Sequence, residues 1–357
     1  MTGAGEWLDL VLQPPAETGF LSCRLIPGRA LMLLQAQIRL GDGRILPLLF
    51  PPDASEAAAA LSGGPQDFMG NASFAFGAAL LAPYANRIRG THDAADRSIE
   101  TLILGHRVRL PANGGGKAPG AEQYAIHGLI LARPVTDLQV QHGPGFVQAS
   151  GVIRAGDYDV GWPSSTEIDI TWRLEATALS LSAAARNVGE AKTPIGFGWH
   201  PYFALPSGAR RQARLRLPAR SRLAVNNYDE VLPTGEILPV ANTPFDFRAP
   251  DGVALGDLYL DDCFVDLGRG LAGEVACEVT DPAAGYGLRI STPSAAVSAV
   301  QAFAPPDRPF VVIEPQFNWA NPYGREWAAA PDSGAGMVLL GPGASVSYEV
   351  KVEPLLA

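Results

Sequence analysis

Apolar and polar residues alternate along much of the chain with the period of extended strands. Ile168, Ile170, Trp172 and Leu174 are interleaved with Glu167, Asp169, Thr171 and Arg173, the pattern of a strand with one buried face. Leu179, Leu181 and Ala183 continue the alternation after a short turn, so the two runs predict a hairpin. Further short strands are predicted at 102–110, 138–140, 146–153, 213–217, 275–280, 288–291, 297–302, 311–313 and 345–352. Many strands at turn-separated intervals indicate an all-β chain folded as a sandwich. The Ala-rich stretch 55–61 predicts a short peripheral helix, ended by Gly63-Gly64-Pro65.

Composition sharpens this picture. Only 18% of residues are charged while Gly numbers 39 and Pro 31, so turns punctuate the chain and surface helices are few. Loops are expected at 111–120 and 281–287, and no repeat or composition shift marks a linker. A single domain over 1–357 is therefore expected, at a length that β-sandwiches reach as one unit. The net charge of -9 repels phosphate backbones and argues against a nucleic-acid partner. Cys23, Cys263 and Cys277 show no CxxC spacing, so neither a disulfide framework nor a zinc site is indicated, and a reducing cytoplasm fits. The first residues lack a basic signal region, and no apolar run approaches the ~18 residues of a membrane-spanning helix.

Chemistry concentrates in a few stretches. His200 sits in Gly196-Phe197-Gly198-Trp199-His200-Pro201-Tyr202-Phe203, where Pro201 holds it out of helical space and Trp199, Tyr202 and Phe203 offer flat apolar surface of the kind sugar rings stack on. Asn86 and Arg87, within Pro83-Tyr84-Ala85-Asn86-Arg87-Ile88-Arg89, make either a fork of donors for hydroxyl groups or a solvated turn with a structural ion pair. His127, just before Gly128, is either turned into a cleft or bonded to a nearby carbonyl. His92, His106 and His142 read as surface residues. Of the adjacent acids Asp261 and Asp262, at most one can face a site, because neighbours on an extended chain point to opposite faces. Glu314 ends the β-branched run Val311-Val312-Ile313, so a buried strand carries it and it needs either a partner, with Arg87 as the structural choice, or a catalytic task.

In this order, Asn86-Arg87-Ile88, His127-Gly128, Gly198-Trp199-His200-Pro201-Tyr202-Phe203, Leu232-Pro233-Thr234-Gly235-Glu236, Pro244-Phe245-Asp246-Phe247 and Glu314-Pro315 resemble the aldose 1-epimerase (galactose mutarotase) family, in a form similar to its bacterial epimerase-like branch. The resemblance implies a large antiparallel β-sandwich, the galactose mutarotase-like supersandwich, with few short helices. It also implies that Glu314 is the general base and His200 the general acid, that Asn86, Arg87, His127 and Asp261 hold sugar hydroxyls, and that a free monosaccharide is the substrate, with no cofactor or metal. A monomer or homodimer is expected. The segment 316–324 departs from the family pattern, which marks Asn318 and Trp319 as candidates for what distinguishes this pocket.

Interconverting the anomers of a cyclic hemiacetal needs one proton taken from the C1 hydroxyl and one given to the ring oxygen, so one base and one acid suffice. In their reference values a glutamate and a histidine lie on either side of neutral pH, and Arg87 would help keep Glu314 ionised. The competing readings are a non-catalytic carbohydrate-binding protein, a hexose-6-phosphate epimerase, or an isomerase or lyase acting on another cyclic substrate.

Overall fold

The computed structural model describes residues 6–51, 54–64, 67–328 and 335–355. Among them the largest sheet has nine strands, in the order Thr136–Gly143, Phe146–Gly156, Thr166–Glu175, Ala178–Asn187, Ser345–Pro354, Tyr286–Thr292, Val275–Asp281, Arg214–Arg216 and Val253–Ala254. A second sheet runs Pro233–Pro239, Ala219–Val225, Leu260–Leu267, Ala299–Ala304, Phe310–Gln316, Gly198–His200 and Ala79–Leu81, with Tyr202–Ala204 also paired to Phe310–Gln316. The fold is an all-β, antiparallel sandwich. Its predicted hairpin is present, with Trp172 opposite Leu181.

Two expectations need correction. The run 102–110 is two strands, Ser98–Ile103 and His106–Pro111, because Leu104 and Gly105 both take positive φ and turn the chain back. The sequence reading also passed over a four-stranded sheet of Leu8–Val11, Gly19–Ile26, Met32–Arg39 and Ile45–Pro47. The alternation of half-buried Gln35, Gln37 and Arg39 with buried Ala36, Ile38 and Leu40 was the available signal. The predicted helix spans Ala54–Leu61 and packs Ala57 and Leu61 against Met32 and Leu34; a second, unpredicted helix is Ala72–Phe76. No helix among the described residues is long and apolar enough to cross a membrane.

One apolar cluster joins the sheets. Ile168, Ile170, Trp172 and Leu174 face it from the nine-stranded sheet, Val311 and Ile313 from the second, and Leu25, Leu33 and Ile38 from the third. Trp172 links all three, since its ring meets Trp199 edge-on at 5.7 Å and its indole N–H donates to the Leu31 carbonyl at 2.8 Å. The Tyr348 hydroxyl, on the nine-stranded sheet, donates to the Pro315 carbonyl of the second at 2.6 Å, which ties the backbone beside Glu314 to the opposite layer.

The aromatic surface expected around His200 is therefore only partly real. Trp199 and Phe203 are fully buried, with centroids 5.9 Å apart, because strand alternation turns them inward when His200 and Tyr202 turn outward. Trp199→Ala is expected to cost about 3–5 kcal/mol of stability, the scale of a deleted buried aromatic. Urea unfolding measures it, and a loss below about 1 kcal/mol would contradict this packing.

Candidate functional site

Strand register places the polar side chains. Glu314 lies opposite Gln301, Gln301 lies opposite Cys263, and side chains two apart share a face, so Glu314, Gln301 and Asp261 emerge together on the outer side of the second sheet. Gly198 pairs with Gln316 on the other flank of the Glu314 strand, and His200, two residues on, comes out on that same face. Val311 and Ile313 go the other way, into the core. A polar face is thus mounted on an apolar one.

A second wall comes from the three-stranded sheet of Gly114–Gly115, Gln123–Ile126 and Arg87–Ile88. Sharp turns flank two of its strands, since Asn86, just before Arg87, has φ 59° and His127, just after Ile126, has φ 62°, and the His127 N–H donates to the Asn86 carbonyl at 2.9 Å. Gly128 must be glycine here: φ is 81° and a Cβ would meet the Ala82 carbonyl oxygen at 2.3 Å. These turns bring Asn86, Arg87 and His127 over the face that carries Glu314. The glycine-rich 111–120 loop is held from outside, where the Asp229 carboxylate accepts the N–H groups of Lys117 and Ala118, both at 3.0 Å.

The six residues singled out in the sequence form one cluster. His200 Nε2 stands 3.5 Å from Glu314 Oε1, and the His127 and His200 rings meet edge-on at 4.7 Å. Arg87 pairs with Asp261 at 3.5 Å rather than with Glu314, and also donates to Asn86 Oδ1 at 3.1 Å and to the Tyr124 hydroxyl at 3.3 Å. Gln301 bridges the rest: its amide donates to Asp261 at 2.6 Å and its carbonyl accepts from Asn86 at 2.9 Å. Asp261 is thus the acid that faces the cluster. Asp262 points to the opposite face, fully buried, where it pairs with Arg222 at 2.8 Å and accepts from the Tyr228 hydroxyl at 3.0 Å. His92, His106 and His142 are exposed.

Burial dominates the electrostatics. It pushes the Glu314 carboxyl well above its ordinary value, the Asp261 charge pushes the same way, and Arg87 only opposes them. Burial also lowers His200 to about 4, with Arg87 adding to that. His127 is held well below the usual imidazole range by burial, His200 and Arg87. Both shifts work against the charged forms, so burial disfavours a Glu314 carboxylate facing a His200 imidazolium. Glu314 Oε2, His200 Nδ1 and His127 Nδ1 are buried without a hydrogen-bond partner among the described residues, leaving capacity for a polar ligand.

Three residues of the cluster escaped the sequence reading. Gln301 is a lone amide in an apolar run, and only its register with Glu314 gives it a place. Tyr124 is set against Arg87 by the strand leading to His127, and Phe74 lies over both imidazoles from the helix Ala72–Phe76. Conversely, Asn318 and Trp319 do not line the cluster. Asn318 is fully buried and clamps Ala85, accepting its N–H at 2.9 Å and donating to its carbonyl at 2.8 Å. Gly196 lies against that amide, where a Cβ would come within 2.1 Å of the Asn318 Oδ1. Trp319 packs edge-on against Trp327 at 5.3 Å. Among the described residues no group of three or more His, Cys, Asp or Glu is arranged to hold a metal ion.

Comparison with known proteins gives the geometry its relatives. A search of curated proteins found no match. Among solved structures, a galactose mutarotase-like protein from Clostridium acetobutylicum superposes with a TM-score of 0.74 at 15% identity, over 99% of each chain. An aldose epimerase homologue from C. elegans gives 0.68 at 19% identity, over 99% of each chain. Galactose 1-epimerase from Lactobacillus acidophilus NCFM gives 0.64 at 16% identity, over 98% of each chain. At such identities the likeness is one of fold. The family model for aldose 1-epimerase matches residues 49–352, most of the sequence, and the chain belongs to the aldose 1-epimerase family.

Proposed function

We propose that this protein is an aldose 1-epimerase that interconverts the α and β anomers of a free monosaccharide, with Glu314 and His200 moving the protons. The observation that carries this reading is the buried carboxyl–imidazole pair at 3.5 Å, ringed by hydroxyl-binding groups on Asn86, Arg87, His127 and Asp261. A carbohydrate binder has no need of two adjacent proton carriers in a low-dielectric pocket.

In ring opening, the C1 hydroxyl gives its proton to the Glu314 carboxylate and its electrons form the C1 carbonyl. The C1–O5 bond breaks, and its electron pair takes the proton carried by His200. Rotation about C1–C2 presents the other face of the aldehyde. Closure runs the transfers backwards, with neutral His200 taking the O5 proton and the Glu314 acid protonating O1. The pair therefore alternates between two tautomers of the same total charge, which differ by one proton moved from His200 to Glu314. The tautomer with the proton on the carboxyl, toward which burial of both groups works, is the one suited to closing the open chain. Sugar hydroxyls reaching the unpartnered Glu314 Oε2 would stabilise the carboxylate needed for opening.

A phosphorylated sugar suits the site less well, because Arg87 is paired with Asp261 and Arg89 with Glu122 at 2.6 Å. Arg87, Asp261, Asn86 and Gln301 form a closed set of donors and acceptors matched to neutral hydroxyls.

Three outcomes test this reading. Glu314→Gln and His200→Asn should each slow enzyme-dependent anomerisation about a hundred- to ten-thousandfold with the fold retained, as polarimetry on freshly dissolved glucose, galactose, xylose and arabinose would register. Full turnover by either variant would remove the assignment. Since His200 gains a second proton only as pH falls through about 4, and Glu314 loses its proton only above the ordinary carboxylate range, kcat/KM should stay level through weakly acidic pH. An acid limb near the ordinary imidazole value of about 6.5 would contradict the one-proton pair. Asp261→Asn should raise KM about tenfold or more through loss of a charged hydrogen-bond acceptor, whereas Asp262→Asn should leave KM unchanged; equal effects would undo the distinction between the two acids.

A further inference from the structure

Glu314, His200 and His127 are all buried, the two imidazoles keeping only a small exposed surface. The group that covers both imidazoles from outside the sheet is the Phe74 ring, with its centroid 4.9 Å from that of His127 and 5.8 Å from that of His200. Phe74 belongs to a helix of only five residues and is itself half-buried.

That helix is fastened at one end. The Arg29 guanidinium, buried, pairs with Asp67 at 2.5 Å and donates to Ser73 Oγ at 2.9 Å and to the Leu61 carbonyl at 3.1 Å. Asp67 in turn accepts the Ala72 N–H at 2.8 Å, Ser73 donates to the Leu131 carbonyl at 2.5 Å, and Asn71 donates to the Asn113 carbonyl at 2.7 Å. The clamp therefore ends at Ser73, and Phe74 is the first side chain beyond it. Phe74 also lines a mainly apolar recess of about 480 Å³, together with Ala59, Ala60 and Ala72 and the polar Asp67 and Asn71. The ring thus touches both histidines and also borders free volume.

We propose that Phe74 is the gate and apolar wall of the sugar cleft, resting on His127 and His200 when closed and withdrawing into the recess between the two helices to admit the aldose. The inference rests on the mutarotase reading of the site. Closed, the ring offers its face to the C–H side of a pyranose and keeps water from the imidazoles while the aldehyde is open. The groups facing His200 are Glu314, His127, Arg87 and Tyr202. The helix Ala72–Phe76 carries no ionisable side chain, so removing the Phe74 ring changes water access and leaves these charges in place.

The test compares Phe74→Ala, Phe74→Leu and Ala60→Leu with the wild type by two measurements. One is the NMR titration of the His200 imidazole without sugar. The other is the KM and kcat of anomer exchange for glucose and galactose. In Phe74→Ala the His200 midpoint should rise from about 4 toward the ordinary value of about 6.5, and KM should rise about fivefold, the scale of one lost ring contact, with a smaller change in kcat. Phe74→Leu, which keeps an apolar side chain against the histidines, should fall between and serves if the alanine variant does not fold. Ala60→Leu, which fills the recess, should lower kcat/KM severalfold without moving the titration. A folded Phe74 variant with unchanged titration and unchanged KM overturns the gate. A wild type that anomerises no sugar defeats the mutarotase reading instead, and the titration still decides whether Phe74 seals the histidines.

Discussion

The cluster depends on the register of three strands, Leu260–Leu267, Ala299–Ala304 and Phe310–Gln316. Because side chains alternate from face to face, a slip of one residue would turn Ile313 out to the sugar side and drive Glu314 into the core, and the same holds for Gln301 beside Ala302. The apolar interior enforces this register: burying Val311, Ile313, Val300 and Ala302 is favourable only in the phase that leaves Glu314 and Gln301 outward. The geometry of the polar cluster is thus specified by the hydrophobic residues between the polar ones.

The same burial that fixes the register sets the electrostatics. Within a covered cleft, the cost of holding charge outweighs the attraction of a lone guanidinium, and Arg87 spends most of its attraction on Asp261. Burial consequently disfavours charge on both the carboxyl and the imidazole. In the proposed anomerisation, which runs in both directions on a neutral substrate, a pair with two interchangeable tautomers suits the symmetry of the chemistry better than a fixed base facing a fixed acid.

Much of the fold was legible because its strands show their period openly. The Glu167–Leu174 alternation and the β-branched run before Glu314 each led to a strand found where expected, and the polar residues at their ends led to members of the cluster. Direction was harder to read. Trp199 and Phe203 looked like sugar-stacking surface beside His200, yet one step of alternation sends them inward. Asp261 and Asp262 could not be told apart until pairing with Phe303 and Ala302 fixed their faces. Gln301 and Phe74 were invisible for a different reason: an amide in an apolar run and a phenylalanine among alanines acquire meaning only from neighbours far away in sequence, and no local periodicity encodes those.

The Tyr348–Pro315 hydrogen bond extends this reasoning beyond the cleft. Tyr348 belongs to the opposite layer, and its ring stacks on Phe197, three residues from His200 and in contact with Phe317 on the Glu314 side. One buried side chain thereby bridges the segment that leads to His200 and the one that follows Glu314. Engineering that confines itself to residues lining the cluster would miss this support. Libraries built around the cluster should also sample Tyr348 and its buried neighbours on the strand Ser345–Pro354, which back the cluster from the opposite layer.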